Sequence, residues 1–268
     1  MRLLLHGATL GGAPDLTDLI EAATGGFAGV EAPWADIQTA CRRGAAGFAR
    51  RMARMELCVA TISDGAPAGM HRAARDGRSD TSSKSADRMQ TAEDDAGRAA
   101  AAEAEMEAEA RLLRGLAAFG VGVPLWLVRI AARAAKDVEV RERLARAGQI
   151  AAACGLRLTL DVVAGDGSAA PPGVSESLAA VVGGSTIGLV ADSLAGPLSG
   201  PFAAYARLRQ DPEGGDGAAV AWAASLYQGG YRGYVAVVSP PRVRGEDRLA
   251  AAARGLRFAR EVLRRAGI

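Results

Sequence analysis

Five side chains in this 268-residue sequence have the right types for moving a proton on a small organic molecule: His6, Glu31, Asp161, Asp192 and Arg207. Lifting a proton beside a carbonyl takes a base, and the enolate oxygen that results takes a fixed positive charge. Glu31 or Asp161 can act as the base, Arg207 as the cation and His6 as a proton relay, with Asp192 beside them. Trp34, Asp64, Arg129 and Arg209 are the candidate substrate contacts. An indole paves a sugar-sized pocket, and guanidinium forks take carboxylate or phosphate oxygens in pairs. The same charges can instead neutralise one another as salt bridges around a shared opening.

Residues so far apart in sequence meet only if the chain returns each of them to one face. Eight short runs rich in β-branched and aliphatic residues provide that repetition: 2–7, 29–32, 57–63, 123–130, 157–163, 186–191, 203–209 and 233–238. Alanine-rich amphipathic stretches alternate with them at 16–24, 35–55, 91–119, 138–154, 175–182, 218–228 and 248–266. Strand–helix alternation of this kind predicts a parallel sheet covered by helices, and eight repeats in about 250 residues predict a closed (β/α)8 TIM barrel. The whole chain, 1–268, is then one domain. Candidate site residues fall at or just past strand ends, on the face where barrels of this kind hold their chemistry.

Two stretches depart from the repeat. Segment 65–90 is polar, with Ser, Asp, Arg and Gly and little apolar periodicity, and reads as a long loop inserted after the third strand, either a lid or a solvated excursion. It contains His71, which is expected to be exposed. After the sixth strand, residues 194–201 are too rich in Gly and Pro for a full helix, so the barrel's cover is reduced there.

Composition excludes several functions. Lys+Arg total 32 against 30 Asp+Glu, too even a balance for a nucleic-acid footprint. The three cysteines, Cys41, Cys58 and Cys154, form no paired spacing, so neither a disulfide framework nor a thiolate metal site is expected. No apolar run reaches membrane-spanning length, and the first residues break at Gly7 before a signal core forms, so a cytoplasmic protein with no membrane partner is expected. The final helix, rich in arginine, reads as a solvated outer face. Dinucleotide, P-loop, zinc-protease and nucleophile-elbow motifs do not occur.

Four phrases resemble the xylose isomerase-like barrels, the sugar phosphate isomerases and epimerases. They are Gly26-Phe27-Ala28-Gly29-Val30-Glu31, Cys154-Gly155-Leu156-Arg157-Leu158-Thr159-Leu160-Asp161, Ile187-Gly188-Leu189-Val190-Ala191-Asp192 and Gly229-Gly230-Tyr231-Arg232-Gly233-Tyr234. The resemblance implies isomerisation or epimerisation of a small polyhydroxy or carbonyl compound, with a polar or anionic ligand as partner. It also implies a divalent metal held by Glu, Asp, His and Glu on strands five to eight. Here those positions read Asp161, Asp192, Arg207 and the apolar end Val237-Val238. The histidine that usually follows the strand-six aspartate is replaced by Ser193-Leu194-Ala195. No tightly bound metal or other cofactor is therefore expected, at most a weak divalent ion at Asp161 and Asp192. The alternative is a barrel that has lost catalysis and binds a small ligand or a protein.

Overall fold

The computed structural model describes residues 1–11, 14–64, 87–165, 168–183, 187–196, 203–213, 215–240 and 246–268, with backbone alone at 64, 87–96, 98 and 172. Eight parallel strands close in chain order into a barrel: β1 Arg2–His6, β2 Gly29–Pro33, β3 Cys58–Asp64, β4 Leu125–Ala131, β5 Arg157–Val163, β6 Gly188–Asp192, β7 Ala203–Arg209 and β8 Tyr234–Val238. Pairing runs around the ring from Leu5↔Val30 between β1 and β2 to Leu4↔Ala236 where β8 returns to β1, with a register shift between Leu189 and Val190 where β6 meets β7. The (β/α)8 expectation therefore holds.

The described helices are α1 Leu16–Ala23, α2 Trp34–Arg42, α3 Ala45–Arg54, α4 Asp87–Ala118, α5 Val138–Ala153, α6 Pro172–Val182, α7 Gly217–Gln228 and α8 Arg248–Arg265. Short 3-10 turns follow β1 at Gly7–Leu10 and β4 at Ala132–Lys136. Aspartates start three of the helices. Asp15 caps α1 through Asp18 N–H, Asp137 caps α5 through Glu139 N–H and Asp247 caps α8 through Ala250 N–H. Each satisfies a backbone donor that has no partner inside its helix.

Beyond small shifts of element ends, sequence and structure differ in three places. The single helix expected over 35–55 is two, because the chain turns at Gly44 with φ 128°, a conformation open to glycine and strained for other residues. The polar segment expected to run to 90 gives way to α4 at Asp87, and residues 65–86, with His71, lie outside the described residues. Sheet pairing in β4 begins at Leu125 rather than 123, although Gly122 already bridges Val59. Most of the helix-poor segment expected over 194–201 after β6, residues 197–201, lies outside the described residues.

Alternation along each strand sorts the side chains. Outward residues such as Val30, Val59, Trp126, Val128, Leu160, Leu189 and Leu208 are buried against the helices, which is why the strands read as near-continuous apolar runs. Inward residues form a smaller plug of Leu4, Cys58, Ala60, Ile62, Leu127, Tyr205 and Ala236. The inward positions nearer the strand ends carry charge instead. Close strand contact demands small residues: a Cβ at Gly29 would stand 2.0 Å from the Cys58 carbonyl oxygen.

One carboxyl is buried on the outer side of the wall. Glu109 of α4, 6% exposed, accepts the indole N–H of Trp126 on β4 at 2.7 Å and the hydroxyl of Ser63 on β3, both through Oε1. Burial pushes its pKa up, and the two hydrogen bonds only partly offset that. The three cysteines are free thiols. Among the described residues no helix is long and apolar enough to cross a membrane.

Candidate functional site

Strand alternation brings Glu31, Arg129, Asp161, Asp192, Arg207 and Arg209 to the inner face at the carboxyl ends, with His6 closing β1 beside Glu31. Arg207 lies at the centre. Its side chain has no solvent exposure, and its guanidinium spans the lumen from β7 to two other strands. Nη2 donates to Glu31 Oε1 on β2 at 2.9 Å, and Nη1 donates to both oxygens of Asp161 on β5 at 3.1 and 3.0 Å.

Each carboxylate has further partners. Tyr205 hydroxyl donates to Glu31 Oε2 at 2.8 Å, and His6 Nε2 stands 3.3 Å from Glu31 Oε1. Arg129 Nε donates to Asp161 Oδ2 at 2.8 Å. Asp192 accepts Arg209 Nε at 2.6 Å on one oxygen and the Leu194 backbone N–H at 3.1 Å on the other.

Burial raises the pKa of Glu31, but Arg207, His6 and Tyr205 more than cancel it and hold the carboxyl well below its ordinary value. Asp161 is likewise raised by burial and then brought below its ordinary value by Arg207 and Arg129, with Glu31 opposing. The same carboxylates reverse the effect of burial on Arg207 and raise its pKa further. Burial and the neighbouring Glu31 charge push the Tyr205 phenol well up, so it serves as a hydrogen-bond donor.

His6 is held at both nitrogens. Its Nδ1 accepts the Ala8 N–H at 3.0 Å, capping the 3-10 turn, so the neutral ring carries its proton on Nε2, facing Glu31. Its side chain is 20% exposed, against 1% for Glu31 and 3% for Asp161. Arg129 and Arg209 reach solvent to 30% and 25%. Solvent therefore meets the imidazole and the two outer arginines, with the carboxylates beneath them.

Of the residues singled out from sequence, His6, Glu31, Asp161, Arg207 and Arg129 form one connected network, with the Asp192–Arg209 pair alongside, Asp192 in register with Arg207. Asp64 ends β3 in register with Arg129, and its side chain lies outside the described residues. Trp34 starts α2 and packs, half-buried, against both outer apolar clusters. Tyr205 was missed by the sequence reading. Its signal was position, two residues before Arg207 and so on the same strand face.

No family model matches the chain, and no curated protein is similar to it in sequence. Solved structures are similar to it in fold. A xylose isomerase domain protein from Alicyclobacillus acidocaldarius superposes with a TM-score of 0.68 at 15% identity, covering 100% of both chains. D-psicose 3-epimerase from Clostridium cellulolyticum H10 gives 0.66 at 15% identity over 98% of this chain and 99% of the other. A sugar phosphate isomerase/epimerase from Parabacteroides distasonis gives 0.56 at 13% identity, with 94% of each covered. The chain has the fold of the xylose isomerase-like TIM barrels.

The residues present do not fit that family's divalent metal. A guanidinium lies in hydrogen-bond contact with Glu31 and Asp161, where an incoming cation would need their lone pairs. Arginine remains protonated at all ordinary pH values and repels it. Among the described residues no group of three or more His, Cys, Asp or Glu stands where it could hold a metal ion.

Proposed function

We propose that this chain is an isomerase- or epimerase-type enzyme that moves a proton on a small polyhydroxy or carbonyl compound, polar or anionic, without a tightly bound metal. The observation that carries this reading is the charged network, buried at Glu31, Arg207 and Asp161 and reaching solvent at His6, Arg129 and Arg209. Glu31 and Asp161 are weak bases in this setting because their cationic partners stabilise the ionised form. His6 then takes the substrate proton. The C–H electron pair moves onto the carbonyl oxygen, an outer arginine stabilises that oxygen, and Glu31 stabilises the imidazolium. When the hydroxyl proton on the first carbon passes to the enolate oxygen and the imidazolium returns its proton to the neighbouring carbon, the compound is isomerised; protonation of the first carbon from the opposite face, by water or a second acid, epimerises it. For this the imidazole must swing Nδ1 away from the Ala8 N–H. The protein is expected to work in the cytoplasm, without nucleic-acid or membrane partners.

A second reading is a barrel that binds the same class of ligand without turning it over. It is favoured by one specific observation: in the structure both ring nitrogens of His6 and the described inward carboxylates Glu31, Asp161 and Asp192 already have partners. The two separate on chelator-treated protein incubated in deuterated water with aldoses, ketoses, their phosphates and keto acids. Wild type should incorporate deuterium into at least one compound and H6A should not. A compound that raises the melting temperature but gains no deuterium establishes the second reading.

A further inference from the structure

We infer that an anionic group of the ligand docks at the end of β7 on the terminal nitrogens of Arg209, so that the compounds this barrel selects carry a carboxylate or a phosphate rather than hydroxyls alone. The inference rests on the barrel mouth being the small-molecule site of the function proposed above. It holds for either reading given there, because it does not depend on turnover.

Arg209 is fixed in place with donors to spare. Its Nε donates to Asp192 Oδ2 at 2.6 Å, and the other Asp192 oxygen is tied to the Leu194 N–H, so the guanidinium has a set direction. Among the described residues its two terminal nitrogens have no partner, and the side chain reaches solvent. A guanidinium held at Nε keeps a fork of donors for carboxylate or phosphate oxygens. Arg207 cannot take that part, since both of its terminal nitrogens are given to carboxylates and its side chain has no exposure. Its buried Nε has no hydrogen-bond partner among the described residues. Arg207 and Arg209 stand two apart on one strand face, so the end of β7 presents more donors than the described residues accept.

Position relative to His6 supports the same assignment. Arg209 pairs with Val238 of β8, and Val237 pairs with Leu5 of β1, so His6 lies level with Val238 one strand further on. Two strand spacings, about 10 Å at the backbone, separate imidazole from guanidinium, and alternation sends both side chains into the lumen. Between them Val238 is buried and apolar and places no carboxylate beside an incoming anion. Arg129, the other arginine that reaches solvent, stands on β4, three strands from β1 around the ring. A small compound held by its anionic end at Arg209 therefore extends its carbon chain toward the imidazole.

The test is calorimetric titration of the full chain with glycerol, erythritol, ribitol and sorbitol, each as the neutral polyol, the corresponding sugar acid and the terminal phosphate. Wild type should bind at least one of the anions about ten-fold or more tightly than its neutral parent, the scale of one charge-assisted forked contact. Which anion is preferred separates a carboxylate ligand from a phosphate ligand. In D192N/R209Q, which removes the pair together and leaves net charge unchanged, the preference should vanish. R209K keeps the charge without the fork and should lose about three-fold or more of it. The inference is overturned if wild type binds neutral polyols as tightly as the anions or binds neither, a result that requires no variant to fold. It is also overturned if the preference survives whole in D192N/R209Q or, should that variant not fold, in R209K. An anion preference that depends on Arg209 supports the inference even where no compound gains deuterium, which counts only against the proton transfer proposed above.

Discussion

Glu31 inside the barrel and Glu109 behind its wall are almost equally hidden, at 2% and 6% exposure, yet their ionisation moves in opposite directions. Glu31 faces Arg207, His6 and Tyr205 and is held ionised. Among the described residues Glu109 meets the neutral donors Ser63 and Trp126, and its ionised form is disfavoured. Burial acts alike on both, so partner charge decides the outcome. Two neutral hydrogen bonds do not replace one guanidinium in a medium of low dielectric constant. The lumen can therefore keep fixed charge at neutral pH, which a polar or anionic ligand can sense, while the outer carboxyl ties α4 to β3 and β4.

Removing Arg207 should have the largest effect. R207M leaves Glu31 and Asp161 buried without their shared counter-ion and should cost about 3–5 kcal/mol in chemical denaturation, the usual loss when one partner of a buried pair is deleted. An effect below about 1 kcal/mol would mean that water screens the lumen and would erase the contrast with Glu109.

Loss of the Tyr205 hydroxyl should come second. Y205F removes one hydrogen bond to the ionised Glu31 and should cost about 1.5–3 kcal/mol in unfolding experiments, below R207M, because the guanidinium remains. Equal losses from the two variants would make the phenol as important as the cation.

The smallest effect is expected at Glu109, where pH dependence should separate the two sites. Glu31 and Asp161 have depressed folded pKa values, so their stabilisation is complete above their ordinary values and is lost as pH falls through the folded ones. Glu109 has a raised folded value, so its favourable protonated form is lost as pH rises past the ordinary value and through the raised one. E109Q keeps an acceptor for Ser63 and Trp126 and should be about 1 kcal/mol more stable than wild type at neutral pH. That gain should fade in acid. A gain independent of pH would contradict the assignment.

The barrel was legible because strand–helix alternation survives in the pattern of apolar runs, and period-two alternation was enough to send Glu31, Asp161 and Arg207 inward together. Their partners were not legible. Nothing in the local sequence says that Arg207 reaches β2 and β5 at once, since strand order and tilt bring those residues together and both are properties of the closed ring. Tyr205 was hidden because a tyrosine in an apolar strand looks like core. Glu109 was hidden among many acids on α4, because its burial depends on the rotation of that helix against Ser63 and Trp126. Trp34, an indole following Glu31, suits a pocket wall or a helix-to-strand gap by sequence alone, and in the fold it packs partly buried against two apolar clusters.

The central claim is that the positive charge of Arg207 offsets the carboxylates of Glu31 and Asp161. Its most direct test is the chemical-denaturation stability of R207M compared with R207M/E31Q/D161N at neutral pH. If the claim holds, the triple variant recovers most of the stability that R207M loses, because no buried charge is left without a partner. A triple variant as unstable as R207M, or less stable, would show that the loss comes from packing alone and contradict the claim.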